Sequence, residues 1–281
     1  RRLGRKLRPV IQRDDALDIV FAQQTHALRQ ARREHAAHRD RLAVQPGAVG
    51  DISQAGAAAS SKSRGTDSIM PHRITRVPTP DTLRGLYVNR WAALGRKLTD
   101  LIAVAKRTEI NALVIDVKDD RGFVLYRSSV PLAREIGADT ADGHWMSSSK
   151  LRAVLDTMIA HDIYPIARIV VAKDPLLAQK KLDLAIKRKS DLKPWLDKNG
   201  KPWLDPHQRV VWQYAADLAR EAYDLGFSEV QFDYVRFPDE KRLISETVYP
   251  LAEGRVRAQV IRDQLGFVRN ALKPHAMRVT A

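Results

Sequence analysis

Glu229-Val-Gln-Phe-Asp-Tyr-Val-Arg-Phe-Pro238 is the stretch of sequence on which the fold prediction depends. Its branched and aromatic residues predict a buried β-strand, and Asp233 lies toward the C-terminal end of that strand. Alternation places Gln231 and Asp233 on one face and Phe232 on the other. A buried charge is costly unless it is paired or used, so we expect Asp233 to face a polar space. In parallel β/α folds, active sites form at the C-terminal ends of the strands.

Two upstream segments repeat this arrangement. The apolar run 112–118 carries Asp116, and the run 164–171 carries Arg168. Each of the three predicted strands therefore offers one ionisable residue at a similar depth. This pattern predicts a shared polar centre in which Arg168 lies between Asp116 and Asp233.

Strands and helices alternate from residue 84 onward, which indicates parallel βαβ units. The predicted strands are 84–88, 112–118, 164–171, 229–237 and 277–281, and the predicted helices are 93–107, 148–161, 208–225 and 254–272. The pattern is typical of a (β/α)8 TIM-type barrel, which needs eight strands and typically about 250 residues. Because the sequence offers only about five strands, we expect a barrel truncated after them; an open sheet is the alternative.

The first 82 residues are predicted to be a basic, partly disordered extension, with the barrel domain at 83–281. A polar helix is predicted at 14–43, followed by a linker at 44–82 that is rich in Ala, Ser, Gly and Pro. Residues 1–80 hold 15 Lys and Arg against 7 Asp and Glu, and the remaining 201 hold 33 against 26. This excess indicates either weak contact with an anionic polymer such as nucleic acid, or a solvated tail.

Composition excludes several classes of protein and site. The 281 residues are 44% hydrophobic and 29% charged, which is typical of a globular domain. No apolar run approaches the roughly 18 residues of a membrane helix, so no membrane span is expected in this chain. Zero cysteines exclude disulfides and thiolate metal sites. Dinucleotide, P-loop and serine-elbow motifs are absent and the histidines lack zinc-ligand spacing, so we expect neither a cofactor nor a metal.

Three blocks of the sequence belong together. They are Asn111-Ala-Leu-Val-Ile-Asp-Val-Lys-Asp-Asp120, the run 165–171 with Lys173-Asp-Pro175, and Gly226-Phe-Ser-Glu-Val-Gln-Phe-Asp-Tyr-Val-Arg-Phe-Pro238. In this order they resemble a bacterial family of glycoside hydrolase domains. The resemblance covers residues 85–281. It implies a TIM barrel distantly similar to α-amylase-type enzymes, and it implies hydrolysis of glycosidic bonds. The pattern of the family continues with further strands, and an acidic residue soon follows a segment like Val279-Thr-Ala281.

Glycosidic cleavage normally needs two carboxyl groups. The resemblance implies that Asp233 is the nucleophile or the stabilising carboxylate, whereas a buried aspartate paired with Arg168 or Arg236 is the structural alternative. Asp116 is the second catalytic candidate. Since adjacent strands lie about 4.8 Å apart, Asp116 and Asp233 should be roughly 9–10 Å apart, too far for a retaining pair. Asp116 is therefore also interpreted as orienting Arg168 or binding sugar hydroxyls, and the general acid could come from the later segment.

Substrate-binding residues are predicted around this pair. Arg168 could hold a carboxylate in its ionised form or recognise an acidic sugar or phosphate. Lys118 follows Asp116 on the same predicted face. A cation site built from Asp116, Asp119 and Asp120 is a further alternative.

Aromatic residues offer surfaces for sugar rings. The segment 194–205 repeats Pro-Trp-Leu-Asp around Asn199-Gly200, which predicts a hairpin with a two-residue turn. Trp195 and Trp203 on that hairpin could stack on sugars, or they could form a loop core. The remaining candidates for the rim of the site are Tyr87, Tyr234 and Arg236.

The sequence therefore predicts a glycoside hydrolase acting on a cell-envelope or extracellular polysaccharide. The alternative is a non-catalytic glycan-binding module on a barrel scaffold. A third hypothesis, an anionic-polymer binder led by the basic N-terminus, is weakened because Phe21 is the only aromatic residue interleaved with the basic ones. The sugar, the linkage and the oligomeric state do not follow from the sequence.

Overall fold

The computed structural model describes residues 74–240 and 244–281. All of them belong to one structural unit, Ser68–Ala281. The predicted helix at 14–43 and the predicted linker as far as residue 73 lie outside the described residues.

A five-stranded parallel sheet forms the centre of this unit. Its strands are β1 (Gly85–Val88), β2 (Ala112–Lys118), β3 (Tyr164–Val170), β5 (Glu229–Asp233) and β7 (Arg278–Thr280). They lie in the order β1-β2-β3-β5-β7. The two-residue strands β4 (Lys187–Arg188) and β6 (Thr247–Val248) pair antiparallel in a separate small sheet. The central sheet thus keeps sequence order, as expected for consecutive βαβ units.

Helices follow most of the central strands. They are α1 (Arg90–Leu94), α2 (Lys97–Ala105), α3 (Pro131–Ile136), α4 (Ser148–Ile159), α5 (Pro175–Lys180), α6 (Arg209–Leu225) and α7 (Arg257–Leu272), with short 3-10 helices at Leu182–Leu184, Ile244–Glu246 and Lys273–His275. Side chains cap three of them: Asn89, Ser147 and Asp174 accept hydrogen bonds from the backbone of α1, α4 and α5. Gly226 ends α6, as predicted.

The predicted elements match the structure closely in the central sheet and less well in the helices. The helix predicted at 93–107 is two helices, because the chain turns at Gly95, the C-cap of α1. α3 lies between the strand predicted at 112–118 and the helix predicted at 148–161, and neither α3 nor α5 was predicted. The strand predicted at 229–237 ends at Asp233, because Tyr234 adopts a left-handed backbone with φ of 54°.

The two faces of the sheet have different surroundings. Leu113, Ile115 and Val117 belong to the main apolar core, which they share with buried residues of α2, α4, α6 and α7. We call the opposite face, which carries Ala112, Val114 and Asp116, the site face. None of the described helices is long and apolar enough to cross a membrane.

The N-terminal edge of the site face is closed by the chain itself. Val77 packs there with Ala112, Tyr164 and Ile166. Nearby, Arg76 donates hydrogen bonds to backbone carbonyls in the 223–227 segment. These residues fall in the stretch predicted as linker, so the packed part of the chain begins before residue 83. The open end of the site face is therefore its C-terminal edge.

Candidate functional site

Three strands bring Asp116, Arg168 and Asp233 together at the C-terminal edge of the sheet. Asp116 is paired in register with Arg168, and Val170 is paired with Asp233. Arg168 donates from Nη1 to Asp116 Oδ1, and from Nε and Nη2 to Asp233 Oδ2 at 2.9 and 2.6 Å. The predicted position of Arg168 between the two carboxylates is thereby confirmed.

The two carboxylates differ greatly in exposure. The side chain of Asp233 is 45% exposed, whereas that of Asp116 is only 3% exposed. Asp233 can therefore meet a ligand that approaches from solvent. Asp116 cannot do so in this conformation, which argues against its predicted direct part in catalysis and fits its alternative role of orienting Arg168.

Tyr87 completes the environment of Asp116. Its hydroxyl donates to Asp116 Oδ2 at 2.6 Å, and the Arg168 guanidinium carbon lies 5.3 Å from the centre of its ring. Burial and the neighbouring Asp116 raise the pKa of Tyr87, so the phenol remains a proton donor in this hydrogen bond. Because Tyr87 is 51% exposed, its ring also forms part of the rim of the site.

Burial also changes the proton affinity of the two groups that face each other in this centre. It raises the pKa of Asp116 above 3.8, because desolvation outweighs the opposing effects of the Arg168 charge and the Tyr87 hydrogen bond. Burial alone would lower the pKa of Arg168, but the charge of Asp116 and the hydrogen bonds to both carboxylates raise it overall. Arg168 is therefore a permanent cation beside Asp233.

Tyr234 holds an unusual backbone conformation directly after Asp233. Its φ of 54° is rare for a bulky residue and is energetically unfavourable. Its backbone N–H donates to Asp233 Oδ1 at 2.6 Å. Both oxygens of Asp233 thus accept hydrogen bonds, and the orientation of the carboxylate is fixed. Strained backbone of this kind is concentrated at functional sites.

The prediction that Lys118 binds substrate is wrong. The register of β2 against β3 shifts between Asp116 and Lys118, which changes the alternation that had placed both on one face. Lys118 is 1% exposed, lies 2.8 Å from Asp174 Oδ2 and donates to the carbonyl of Val170 at 2.6 Å. It is a buried structural cation that joins the end of β2 to the end of β3 and to the loop after β3.

The prediction that Trp195 and Trp203 stack on sugar rings is also contradicted, because they are only 1% and 4% exposed. They form a small apolar core with Ala172 and Ile186, which is the loop-core alternative. The indole N–H of Trp203 donates to Asp197 Oδ2 at 3.1 Å.

The hairpin that carries these tryptophans has a different register from the predicted one. Asp197 N–H donates to the carbonyl of Lys201, so three residues rather than two form its loop, and Pro202 lies opposite Leu196. Gly200, with φ of 68°, takes the left-handed position that this three-residue loop requires.

Arg236 and Tyr234, the other two residues predicted at the rim of the site, lie close to Asp233 in sequence. Their contact with a substrate stays a prediction. The side chain of Arg236 is 46% exposed and lies 3.1 Å from Asp239 Oδ1. Its guanidinium carbon lies 5.1 Å from the centre of the Tyr234 ring. Tyr234 itself is half-buried against Trp203, with the ring centres 5.5 Å apart.

The alternative of a cation site at Asp116, Asp119 and Asp120 is not supported. Asp119 accepts hydrogen bonds from the side chain of Arg121 and from backbone N–H groups, and Asp120 lies 2.7 Å from Lys173 Nζ. Within 74–240 and 244–281, no group of three or more His, Asp or Glu side chains is arranged to hold a metal ion.

One exposed aromatic residue near the C-terminal end of β1 was not predicted. Trp91 lies at the start of α1, directly after β1, and is 48% exposed. Its ring lies 5.0 Å from His144 and 4.8 Å from the guanidinium carbon of Arg121. Its place just after the end of a predicted strand was the available signal, since that is the edge where active-site residues are found.

Comparison with known proteins places the chain in a family. Residues 85–281 match a family model described as "Putative glycosyl hydrolase domain". The chain belongs to this glycosyl hydrolase domain family. Among solved structures, it is similar to a hypothetical protein from Ruminiclostridium thermocellum, with 35% identity and a TM-score of 0.62 over 70% of this chain and 96% of that one.

Two enzymes share the fold with this member of the glycosyl hydrolase domain family. One is the chitobiase of Flavobacterium johnsoniae (14% identity, TM-score 0.51), and the other is the exo-β-N-acetylglucosaminidase of Vibrio harveyi (14%, 0.52). Each match covers 70% of this chain but only 31% and 34% of the enzymes, so the chain spans about a third of their length. None of the curated proteins is similar enough to count as a match. The family and the shared fold together support glycoside hydrolysis in general terms.

Proposed function

We propose that this domain hydrolyses glycosidic bonds, with Asp233 as the carboxylate that attacks or stabilises the anomeric carbon. The observation that carries the proposal is the geometry of Asp233: it is 45% exposed at the C-terminal end of β5, and donors from Arg168 and Tyr234 fix both of its oxygens. Family membership supports the same reaction class.

The arrangement suits an oxocarbenium-like transition state. Positive charge develops at the anomeric carbon, and a carboxylate already oriented beside it needs little reorganisation to stabilise that charge. Arg168 acts as a positioning residue for Asp233, and Asp116 with Tyr87 positions Arg168 in turn. We do not assign Asp116 as the general acid, because it is buried.

We further propose that the sheet is part of a (β/α)8 barrel whose interior is the site face. The consecutive order of the parallel strands supports this, as does the fold shared with the N-acetylglucosaminidase. The packing of Val77 at the N-terminal edge is consistent with it, because ligands would then enter from the C-terminal edge, where barrel enzymes have their active sites.

We place the substrate among cell-envelope or extracellular polysaccharides. The net charge of +15 favours contact with anionic polymers, which are common constituents of such surfaces. This part of the proposal predicts that retention on an anionic glycan weakens as the ionic strength rises.

A second candidate function is glycan binding without catalysis. It is favoured because Arg168 engages both carboxylates, as a purely structural ion pair would. In that case Tyr87 and Trp91, both about half exposed, would supply the contact surface.

The test is Asp233→Asn, compared with the wild type on a panel of polysaccharides. We expect the wild type to release reducing ends from at least one glycan, and the variant to bind that glycan in calorimetry without releasing reducing ends. Binding by both proteins with release by neither would favour the binding module. Equal release by both would exclude Asp233 as the catalytic carboxylate.

A further inference from the structure

A cavity of about 530 Å³ opens on the C-terminal side of the sheet, between the loops that follow β2 and β3. Phe123 and Leu176 provide its apolar lining. The tip of the hairpin around Asn199 forms another part of the wall. A volume of this size accommodates a small ligand or one or two sugar residues.

The polar lining of this cavity is mainly cationic. Arg121, Lys173 and Lys201 line it, and Asp120 is the only carboxylate among the described residues of the lining. Lys173 lies 2.7 Å from Asp120, whereas Lys201 makes no ion pair with any residue that the structure describes. Arg121 lies 2.9 Å from Asp119 Oδ2, so Lys201 is the lining cation that the described residues leave without a countercharge.

The orientation of the cations is fixed by the protein. Arg121 donates from Nε and Nη2 to Asp119 Oδ2 at 3.1 and 2.9 Å, which leaves Nη1 outside this pair. Hydrogen bonding to Asp120 raises the pKa of Lys173 despite burial, which alone would lower it. Both groups are therefore charged and held in place before a ligand arrives.

The two loops that form the cavity are locked together. Gly122, with φ of 92°, packs so closely on the loop after β3 that a Cβ there would lie 2.1 Å from Asp174 Oδ1. The buried pair of Lys118 and Asp174 also ties the end of β2 to the loop after β3. The cavity is thus preformed, which lowers the entropic cost of binding.

The cavity also lies beside the proposed catalytic centre. Lys173 Nζ is 5.1 Å from the centre of the Tyr234 ring, and Tyr234 directly follows Asp233. At the other end, Arg121 contacts Trp91. A polymer bound across Asp233 can therefore extend into this space.

We propose that the cavity is a glycan subsite for a sugar that carries a carboxylate, a uronic acid residue. Its apolar lining suits the C–H face of a pyranose, and Arg121 and Lys201 offer charged donors to the carboxylate. A neutral sugar would leave Lys201 without a countercharge. The inference rests on the proposed glycan hydrolysis and names its substrate class.

The experiment uses the full chain with Asp233→Asn, so that substrates are not consumed. Its probes are oligosaccharides of galacturonate, glucuronate and mannuronate, each paired with its carboxyl-reduced neutral counterpart. We expect calorimetry to show tighter binding of at least one acidic oligosaccharide than of its neutral counterpart. Lys201→Gln should weaken the acidic complex by about 3- to 10-fold, since an exposed charge-assisted contact is worth a modest amount.

Lys198→Gln is the matched control, because Lys198 is exposed on the same hairpin but does not line the cavity. It should leave binding unchanged within about twofold, as expected for a surface charge that is screened by salt. Equal affinity for acidic and neutral oligosaccharides, an equal effect of the two lysine variants, or no binding at all would overturn the inference.

The two proposals fail in different ways. If the wild type cleaves glycans but binding is indifferent to carboxylates, only the subsite is wrong. If the acidic preference and the Lys201 effect are present while the wild type cleaves nothing, only the catalytic proposal is wrong.

Discussion

Two carboxylates of very different exposure share one guanidinium in this molecule. Arg168 bridges Asp116, which is buried, and Asp233, which faces solvent. A buried ion pair is weak evidence for stability, because its Coulomb energy is offset by desolvation. Removing the cation alone is different, since it leaves the Asp116 carboxylate buried without a countercharge, with only the Tyr87 hydrogen bond remaining.

Arg168→Met should therefore lower the free energy of unfolding by about 3–5 kcal/mol. Adding Asp116→Asn removes the unpaired charge, so the double variant should be more stable than Arg168→Met alone. Urea unfolding of the wild type, both single variants and the double variant measures this coupling. A loss below about 1 kcal/mol in Arg168→Met, the range of exposed pairs, would contradict the buried-pair interpretation.

Tyr87 has a separate, pH-dependent effect on Asp116. Its hydrogen bond favours the charged form, so Tyr87→Phe should raise the pKa of Asp116 above its already raised value. A ¹³C NMR titration of the Asp116 carboxyl carbon measures this directly. Tyr164→Phe is the control: it removes a hydroxyl that lies 3.2 Å from Glu229 at the other end of the site face, and it should not shift the titration of Asp116.

The raised pKa of Asp116 also fixes the sign of its contribution to stability. In the folded state, Asp116 binds its proton more tightly than an unfolded aspartate does, so it favours folding fully below pH 3.8. That contribution is lost as the pH rises through the raised value. As the pH rises through this window, the unfolding free energy of the wild type should therefore fall relative to that of Asp116→Asn. A relative gain in the stability of the wild type would contradict the direction of the pKa change.

Loops rather than strands set the shape of the C-terminal edge, and Gly122 joins two of them. Gly122→Ala should cost about 2–4 kcal/mol, because left-handed strain is added to a clash with Asp174. Gly143→Ala is the matched control, since Gly143 has φ of 74° but nothing within 4 Å of an added Cβ. It should cost only about 1 kcal/mol, and thermal unfolding of both variants measures the difference. Equal losses of stability in the two variants would show that the clash with Asp174 adds nothing to the cost of the left-handed backbone.

Alternation along strands predicted the central elements well and failed where the backbone departs from regular geometry. The grouping of Asp116, Arg168 and Asp233 followed from period two alone. Lys118 was assigned to the wrong face because the register of β2 shifts between Asp116 and Lys118, which interrupts the alternation of side chains. The order of apolar and polar residues does not reveal such a shift. The end of β5 was missed for a similar reason, since Tyr234 is not a residue type that predicts a positive φ.

Burial of loop residues was the least predictable property. Trp195 and Trp203 lie in a hairpin that was correctly expected, but only the tertiary packing decides whether an indole faces solvent or Ile186. In contrast, α5 carried a readable signal, Asp174 as N-cap followed by Pro175, but its six residues are too few to show helical periodicity.

At the scale of the whole domain, the sheet places its one exposed and rigidly held carboxylate at the open edge of the site face. The N-terminal edge is closed by Val77, and the apolar core lies on the other face. The chain belongs to a glycosyl hydrolase domain family, and it shares its fold with an exo-β-N-acetylglucosaminidase. In the function that we propose, catalysis depends on Asp233, while Arg168, Asp116 and Tyr87 hold it in position.

The most direct test is the turnover number on a cleaved glycan for Asp233→Asn compared with Asp239→Asn. The second variant makes the same chemical change at a side chain that is 78% exposed and paired with Arg236. We expect Asp233→Asn to lose at least about 10²-fold in turnover, the lower range for a group acting in the transition state, with Asp239→Asn close to the wild type. Turnover of Asp233→Asn within about threefold of the wild type, where a lost catalytic carboxylate should cost far more, would contradict the account.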